Sequence, residues 1–470
     1  MTNPGARLQV ATLSRVTAPQ ARPFPAQQSE LEPWGPSEVP TTALLTDQYE
    51  ITMLRAAIRS GTANRRCIFE LFARRLPDGR RYGVVAGVGR ALRALSHFRF
   101  DEESLRFLLD RGIVDQQTAD WLADYRFSGQ IWGYAEGDIY FPGSPLLIVE
   151  STFAEAVLLE TLMLSIYNHD SAIASAASRM TAVADGRPCL EMGARRTQEL
   201  SAVAAARAAY IAGFNGTSSL EAGRRYGVPT IGTSAHAFTL LHDSEEDAFR
   251  AQVAAMGTET TLLVDTYDVD NAVRTAVVLT EGKLGSVRLD SGDLPALAKH
   301  VRTLLDDLGA TGTHIIVTSD LDEWQIAALA GAPVDGYGVG TALVTGSGHP
   351  TSGFVYKMVA RAASDDPGAP MVHVAKKSTA KATIGGRKYP WRRFDAAGVA
   401  ETEFIGIDRD PQLDHGRPLL VPLVADGEIV GREPLEAARD RHARARNELP
   451  LDALKMSRGE PVIETVFVKE

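Results

Sequence analysis

Val228-Pro229-Thr230-Ile231-Gly232-Thr233-Ser234-Ala235-His236 reads as a short apolar strand, a polar loop and the start of a helix. The arrangement recurs from about residue 187 to 345. Thr261-Leu262-Leu263-Val264 precedes Asp265-Thr266-Tyr267-Asp268, and Val287-Arg288-Leu289 precedes Asp290-Ser291-Gly292-Asp293. His314-Ile315-Ile316-Val317 precedes Thr318-Ser319-Asp320. Strands that alternate with helices run parallel, because each helix carries the chain back to the same end. The fold class is therefore α/β. In such sheets and barrels the polar loops after the strands form one working face.

Outward from this region the pattern changes. Toward the N-terminus, Asp47 is placed to cap a helix from Glu50 to Ile58. Cys67 to Phe72 reads as a strand, and Tyr82 to Gly87 as a strand-to-helix passage. Residues 103 to 126 look helical, and 129 to 150 look like short strands with turns at Gly137 and Pro142-Gly143. Phe153 to Ile166 has helical spacing, with a second helix from Ala172. Residues 1 to 40 are rich in Pro, Gln, Ser and Ala without a period, and are expected to form a disordered extension. Toward the C-terminus, Val355 to Val359 and Leu419 to Val424 are strand-like, and 434 to 446 is a charged helix. This tail is expected to pack on the N-terminal part.

The chain of 470 residues is too long for one ordinary core, so two domains are expected. A net charge of -10 argues against nucleic acid and anionic membrane as partners. No apolar run is long enough to span a bilayer. Two cysteines, Cys67 and Cys189, make no disulfide framework, which points to the reducing cytoplasm.

Several loops carry chemistry. His236 lies at a helix start, where outward N–H groups and the positive dipole end receive phosphate and disfavour imidazolium. It reads either as a nucleophile or as a helix-start histidine bonded to a carbonyl, and spacing alone does not separate the two. Arg288 offers a planar fork to an anion. Asp290 and Asp293 are candidates for Mg²⁺ or ribose hydroxyls. Gly336-Tyr337-Gly338-Val339-Gly340-Thr341, after the strand-like Ala332-Pro333-Val334, resembles a phosphate cradle, although a Gly-x-Gly alone is weak. Glu191-Met192-Gly193-Ala194-Arg195-Arg196 places two guanidinium groups after a short strand, and Phe214 to Ser219 forms another polar loop. His169-Asp170 and His242-Asp243 read as caps or surface pairs, and Lys376, Lys377 and Lys381 as a solvated basic face. No P-loop motif is present.

Together these motifs resemble nicotinate phosphoribosyltransferase. The resemblance runs from about Leu44 to Lys357. It rests on Leu45-Thr46-Asp47-Gln48-Tyr49, Phe69-Glu70-Leu71-Phe72 with Arg74, Glu191 to Arg196, Gly232 to His236, Val264-Asp265-Thr266-Tyr267, Val287 to Asp293 and Gly338-Val339-Gly340-Thr341. So many motifs in one order are specific. The resemblance implies an enzyme of NAD biosynthesis that joins nicotinate to 5-phosphoribosyl 1-pyrophosphate, with coupled ATP hydrolysis and Mg²⁺. It implies an irregular TIM-like α/β barrel beside a second α+β domain built from both chain ends. The corresponding division is 41–165, a barrel over 166–350, and a strand-rich 351–470 that packs on the first part.

The resemblance also implies roles. His236 matches the histidine that ATP phosphorylates. Tyr49 matches a ring-stacking tyrosine supplied by the neighbouring subunit of a homodimer. Arg288 matches an arginine near nicotinate, Thr233 a substrate contact, and Thr341 a phosphoribosyl-phosphate contact. Arg195 and Asp290 are pocket members. Met192 departs from the Phe of related enzymes, so a softer ring sandwich is expected. Nicotinamide-using relatives carry Asp at the position of Ser218, and Asp there would repel a carboxylate. Ser218 therefore favours nicotinate. The competing readings are a nicotinamide- or quinolinate-type phosphoribosyltransferase, and a non-catalytic phosphosugar-binding relative.

Overall fold

The computed structural model describes residues 41–376 and 383–468. The extension expected over 1–40 and the lysines Lys377 and Lys381 lie outside the described residues. The alternating region folds into parallel strands joined by helices, except that the stretch 228–231 forms no strand and meets the sheet only through a bridge at Thr230. Going around the sheet, Cys189–Glu191 pairs with Gly216–Thr217, and Thr217 bridges Thr230. On its other side Cys189–Glu191 pairs with Gly336–Val339, then His314–Val317, Ser286–Leu289 and Thr261–Leu263 follow. The first and last chain segments of this region are thus neighbours, as in a barrel. No backbone hydrogen bond joins Thr230 to Thr261–Leu263 among the described residues, so the sheet has an open seam there.

The strands of this sheet share one apolar core, to which Leu262, Val287, Leu289, Ile315, Val317 and Val339 all contribute buried side chains. Helix Glu199–Ile211 packs on helix Glu160–Val183, and its Ala205, Ala208 and Ala209 share a core cluster with Ala174 and Ala177, small side chains that allow close approach.

A seven-stranded sheet combines both chain ends. Strand Arg66–Ala73 lies between Pro145–Thr152 and Phe354–Ala362, antiparallel to each, and Leu420–Ala425 pairs with Gln130–Tyr134. The C-terminal segment therefore packs on the N-terminal one, as its strand-like pattern implies. A four-stranded sheet holds Lys388–Phe394 between Gly416–Pro418 and Ala400–Ile407, with Glu464–Val468 beyond. Fully buried Arg392 donates to Glu403 at 2.6 Å and to Asp138 at 3.2 Å, tying this sheet to the turn after Gln130–Tyr134. Lys388 Nζ similarly reaches buried Glu70 at 2.7 Å.

Four further expectations need correction. The first helix is Gln48–Ser60, and Asp47 precedes it without capping it; Thr46 bonds Glu50 instead. The span 103–126 is two helices, Glu102–Asp110 and Gln116–Ala123, because Gly112 takes a left-handed turn and Asp115 caps the second. The expected break between Ile166 and Ala172 does not exist. The helix runs continuously from Glu160 to Val183, because Asp170 is neutralised inside it by Arg90 at 2.6 Å rather than ending it. Finally, Ala332-Pro333-Val334 is not a strand, and the glycine-rich Gly336–Val339 itself is.

Candidate active site

The loops at the strand ends enclose a cavity of about 430 Å³, within the size range of small-ligand sites. Met192, Arg195 and Arg196 form one wall, Ser218 a second, and Ile231 to His236 a third. Arg288, Asp290, Thr318, Ser319, Asp320, Gly338, Gly340 and Thr341 complete it. His236, Thr233, Arg288, Asp290, Thr341, Arg195 and Ser218, widely separated in sequence, thus share one cavity. Two expected residues do not line it. Asp293 sits at the start of helix Leu294–Asp307, where its carboxylate accepts the Ala296 N–H at 3.2 Å. Tyr49 stands half-exposed on helix Gln48–Ser60. Burial, Glu160 and Glu50 push its hydroxyl up to about 12, so it stays protonated.

His236 is the first residue of a six-residue helix, His236–Leu241. Among the described residues, no carbonyl or side chain accepts from the N–H groups of Gly232, Thr233, Ser234 or Ala235. Unpartnered N–H groups in succession on a cavity wall are suited to phosphate oxygens. His236 Nε2 lies 3.3 Å from Oδ1 of buried Asp265. The other Asp265 oxygen accepts the Asp290 N–H at 2.8 Å and the Ser291 hydroxyl at 3.0 Å. Asp265 therefore fixes the imidazole and the Asp290 loop at once. Arg288 donates to the Ser234 carbonyl at 3.1 Å, while its buried Nε has no acceptor. Burial holds the guanidinium below its usual range, against the pull of Asp290 and Asp265. Such a cation is better satisfied by an anionic ligand. Two side-chain contacts, His236–Asp265 and Arg288–Ser234, thus cross the open seam that no backbone bond closes.

The glycine-rich segment differs from a loop cradle. Gly336–Val339 is a wholly buried strand, and Gly338, Gly340 and Thr341 reach the cavity. A Cβ at Gly338 would lie 2.5 Å from Thr318 Cγ2 and 2.7 Å from Met192 Sδ, so only glycine fits there. Thr318 donates to Asp290 Oδ1 and orients it. Thr318, Ser319 and Asp320 read in the sequence only as polar loop residues, and Asp265 as a member of a motif with no role of its own. The position of Asp265 directly after the apolar run Thr261 to Val264, like that of Asp290 after Val287 to Leu289, is the signal that singles it out. Of the two His-Asp pairs, His242 bonds the Phe238 carbonyl at 2.8 Å instead of Asp243, whereas His169-Asp170 is neither a cap nor a surface pair: Asp170 is buried within its helix and meets His169 Nδ1 at 2.9 Å and Arg90 at 2.6 Å.

Comparison with known proteins bears on this site. Residues 44–168 match the nicotinate phosphoribosyltransferase N-terminal domain, and 188–383 match the nicotinate phosphoribosyltransferase family. The chain is 54% identical over 440 residues to nicotinate phosphoribosyltransferase pncB1 of Mycobacterium tuberculosis, covering 92% of this chain and 96% of that one. It is 38% identical over 387 residues to nicotinate phosphoribosyltransferase of Bacillus subtilis, covering 80% and 78%. The crystal structure of human nicotinic acid phosphoribosyltransferase superimposes with a TM-score of 0.77 at 25% identity, covering 90% of this chain and 97% of that one. With both matched regions contributing to the described architecture, the chain belongs to the nicotinate phosphoribosyltransferase family.

Proposed function

We propose that this cavity joins nicotinate to C1 of 5-phosphoribosyl 1-pyrophosphate in NAD biosynthesis, with ATP hydrolysis coupled through His236. The observation that carries the reading is the His236 imidazole on the cavity wall, 3.3 Å from buried Asp265 and beside four unpartnered N–H groups. An Nε2–H donated to Asp265 leaves the Nδ1 lone pair as nucleophile. Nδ1 bonds to the γ-phosphorus of ATP, the bond to ADP breaks and ADP leaves. Water later takes the phosphoryl group and releases phosphate. In the main reaction the pyridine nitrogen bonds to C1 while the C1–O bond breaks and pyrophosphate leaves. Arg195 and Arg196 are placed to stabilise the charge that grows on it.

Arg288 meets an anionic group, Thr233 and Thr341 contact substrate oxygens, and Ser218 accommodates the pyridine carboxylate without repulsion. The cavity carboxylates Asp290 and Asp320 suit Mg²⁺, which is commonly held by one or two carboxylates with substrate phosphates and water. When bound, Mg²⁺ supplies charge neutralisation to the leaving pyrophosphate. The seven-stranded and four-stranded sheets constitute the second domain of the proposed division, beside an irregular TIM-like barrel. A homodimer in which Tyr49 enters the neighbouring cavity fits its absence from its own. The two cysteines are free and buried, which suits the cytoplasm.

The test is product formation from nicotinate and from nicotinamide, with and without ATP. The expected result is nicotinate mononucleotide, formed faster with ATP. His236→Ala is expected to abolish the ATP stimulation, and undiminished stimulation in that variant would sink the phosphohistidine role. Use of nicotinamide in place of nicotinate would overturn the reading of Ser218.

A further inference from the structure

Glu191 ends the strand Cys189–Glu191 and is completely buried beneath the cavity. It faces no cation. One carboxylate oxygen accepts the Gly193 N–H, and the other accepts the Thr217 hydroxyl. The Thr217 oxygen in turn accepts the Ser219 N–H at 2.9 Å, and the Glu191 carbonyl accepts the Ser218 N–H at 2.8 Å. Two cavity walls hang from this one residue: the wall with Met192, Arg195 and Arg196, and the wall with Ser218. A third is tied in by packing. A Cβ at Gly193 would lie 2.9 Å from the Gly340 carbonyl and 2.3 Å from Val344, so the Gly193 turn sits directly against the Gly340–Thr341 wall.

We infer that Glu191, acting through the Thr217 hydroxyl, is a positioning residue that sets the distance between Met192 and Ser218 and so determines how tightly the pyridine substrate is held. This rests on the reading that the cavity takes a pyridine ring. The chemistry of the contacts makes the inference specific. Both groups facing the carboxylate are donors, so both oxygens must accept. In Glu191→Gln, an amide oxygen turned to Gly193 puts the NH₂ against Thr217. The threonine oxygen then receives two N–H groups, and its own proton has no acceptor. The opposite orientation sets NH₂ against the Gly193 N–H. Either way one buried donor is orphaned and one wall shifts. Thr217→Val removes the hydroxyl and orphans both Glu191 and the Ser219 N–H, whereas Thr217→Ser retains every bond. Burial raises the Glu191 carboxyl from its ordinary value, and the Thr217 and Gly193 hydrogen bonds oppose that rise by stabilising the carboxylate.

The experiment is steady-state kinetics of the purified full chain and of Glu191→Gln, Thr217→Val and Thr217→Ser. The KM for nicotinate is expected to rise about tenfold in the first two variants, the loss of one buried hydrogen bond. In Thr217→Val the KM for 5-phosphoribosyl 1-pyrophosphate should stay within about twofold, since the Gly193 bond beneath Arg195 and Arg196 is kept. Thr217→Ser should match the parent chain. Equal rises in both KM values in Thr217→Val, a fall in kcat alone, or a Thr217→Ser variant as impaired as Thr217→Val would overturn the inference. If Glu191→Gln fails to fold, the Thr217 pair decides alone. Activity of the parent chain on nicotinamide only would defeat the proposed substrate, while the Val-against-Ser comparison, run on whichever pyridine is used, would still judge the positioning role.

Discussion

Ser319 stands on the cavity with φ of 144°, a backbone region that glycine adopts freely and serine does not. The residue lies between Thr318, which orients Asp290, and Asp320, so its conformation aims two cavity side chains. Ser319→Gly should relieve the strain and stabilise the fold by about 1 kcal/mol, read as a higher denaturant midpoint with unchanged slope. An unaltered midpoint would show that the loop stores no strain. Gly338 makes the opposite case. Its missing side chain is what lets Thr318 and Met192 approach, so Gly338→Ala should cost about 1–3 kcal/mol by overpacking. It should also raise the KM for nicotinate, because Met192 must move; an unchanged KM would remove Met192 from the ring site.

At the scale of elements, helix Leu435–Asn447 shows how the C-terminal segment is held. Its His442 is buried, with Nδ1 3.3 Å from the Gly137 carbonyl and no partner at Nε2. Burial first, then the charge of Arg446, push the imidazole down to about 3. The folded state therefore holds His442 neutral, while the unfolded chain takes up a proton below its ordinary value of 6.5. The stability from this residue is complete above about pH 6.5 and is lost as pH falls toward 3, by up to about 1.4 kcal/mol per pH unit. Denaturant titrations between about pH 4 and 7 should show His442→Gln losing less stability on acidification than the parent chain. Parallel curves would mean that His442 does not govern the acid limb.

The same elements show what the amino-acid pattern can convey. The strands Ser286–Leu289 and His314–Val317 are plain because an apolar run ends in polar loop residues, and the first carries Arg288 near its end and Asp290 directly after it. Gly336–Val339 is obscure because a strand of glycines is justified only by neighbours that are distant in sequence, here Thr318 and Met192. The continuous helix through Asp170 is obscure for a related reason: its neutralising Arg90 lies 80 residues away. Glu191 and Asp265 are legible as members of motifs. Their tasks are not, since each acts through bonds to loops that only the folded sheet brings together.

On the scale of the whole molecule, the separation of Tyr49 from its own cavity has a consequence for mixed assemblies. If each cavity takes Tyr49 from the neighbouring chain, His236→Ala and Tyr49→Ala each lack ATP-stimulated activity alone. Co-expressed in equal amounts, they pair half of the time, and each mixed pair has one complete site, so roughly a quarter of the parent's ATP-stimulated activity should return. A mixture as inactive as its components would show that the sites are not shared.

The seam between Thr230 and Thr261–Leu263 gives the enzyme a lip of uneven rigidity. Segment 232–235 has no ladder partner on either side, and two side-chain contacts tether it, whereas Ser286–Leu289 is paired on both flanks. Local opening at the seam therefore needs little of the global unfolding free energy. Amide deuteration should be rapid over 232–235 and slow over 286–289 in the free enzyme. A phosphoryl group on His236, gathering those amides, should bring the two rates together, so that deuterium uptake at this lip reports the phosphorylation state of the enzyme without any measurement of turnover.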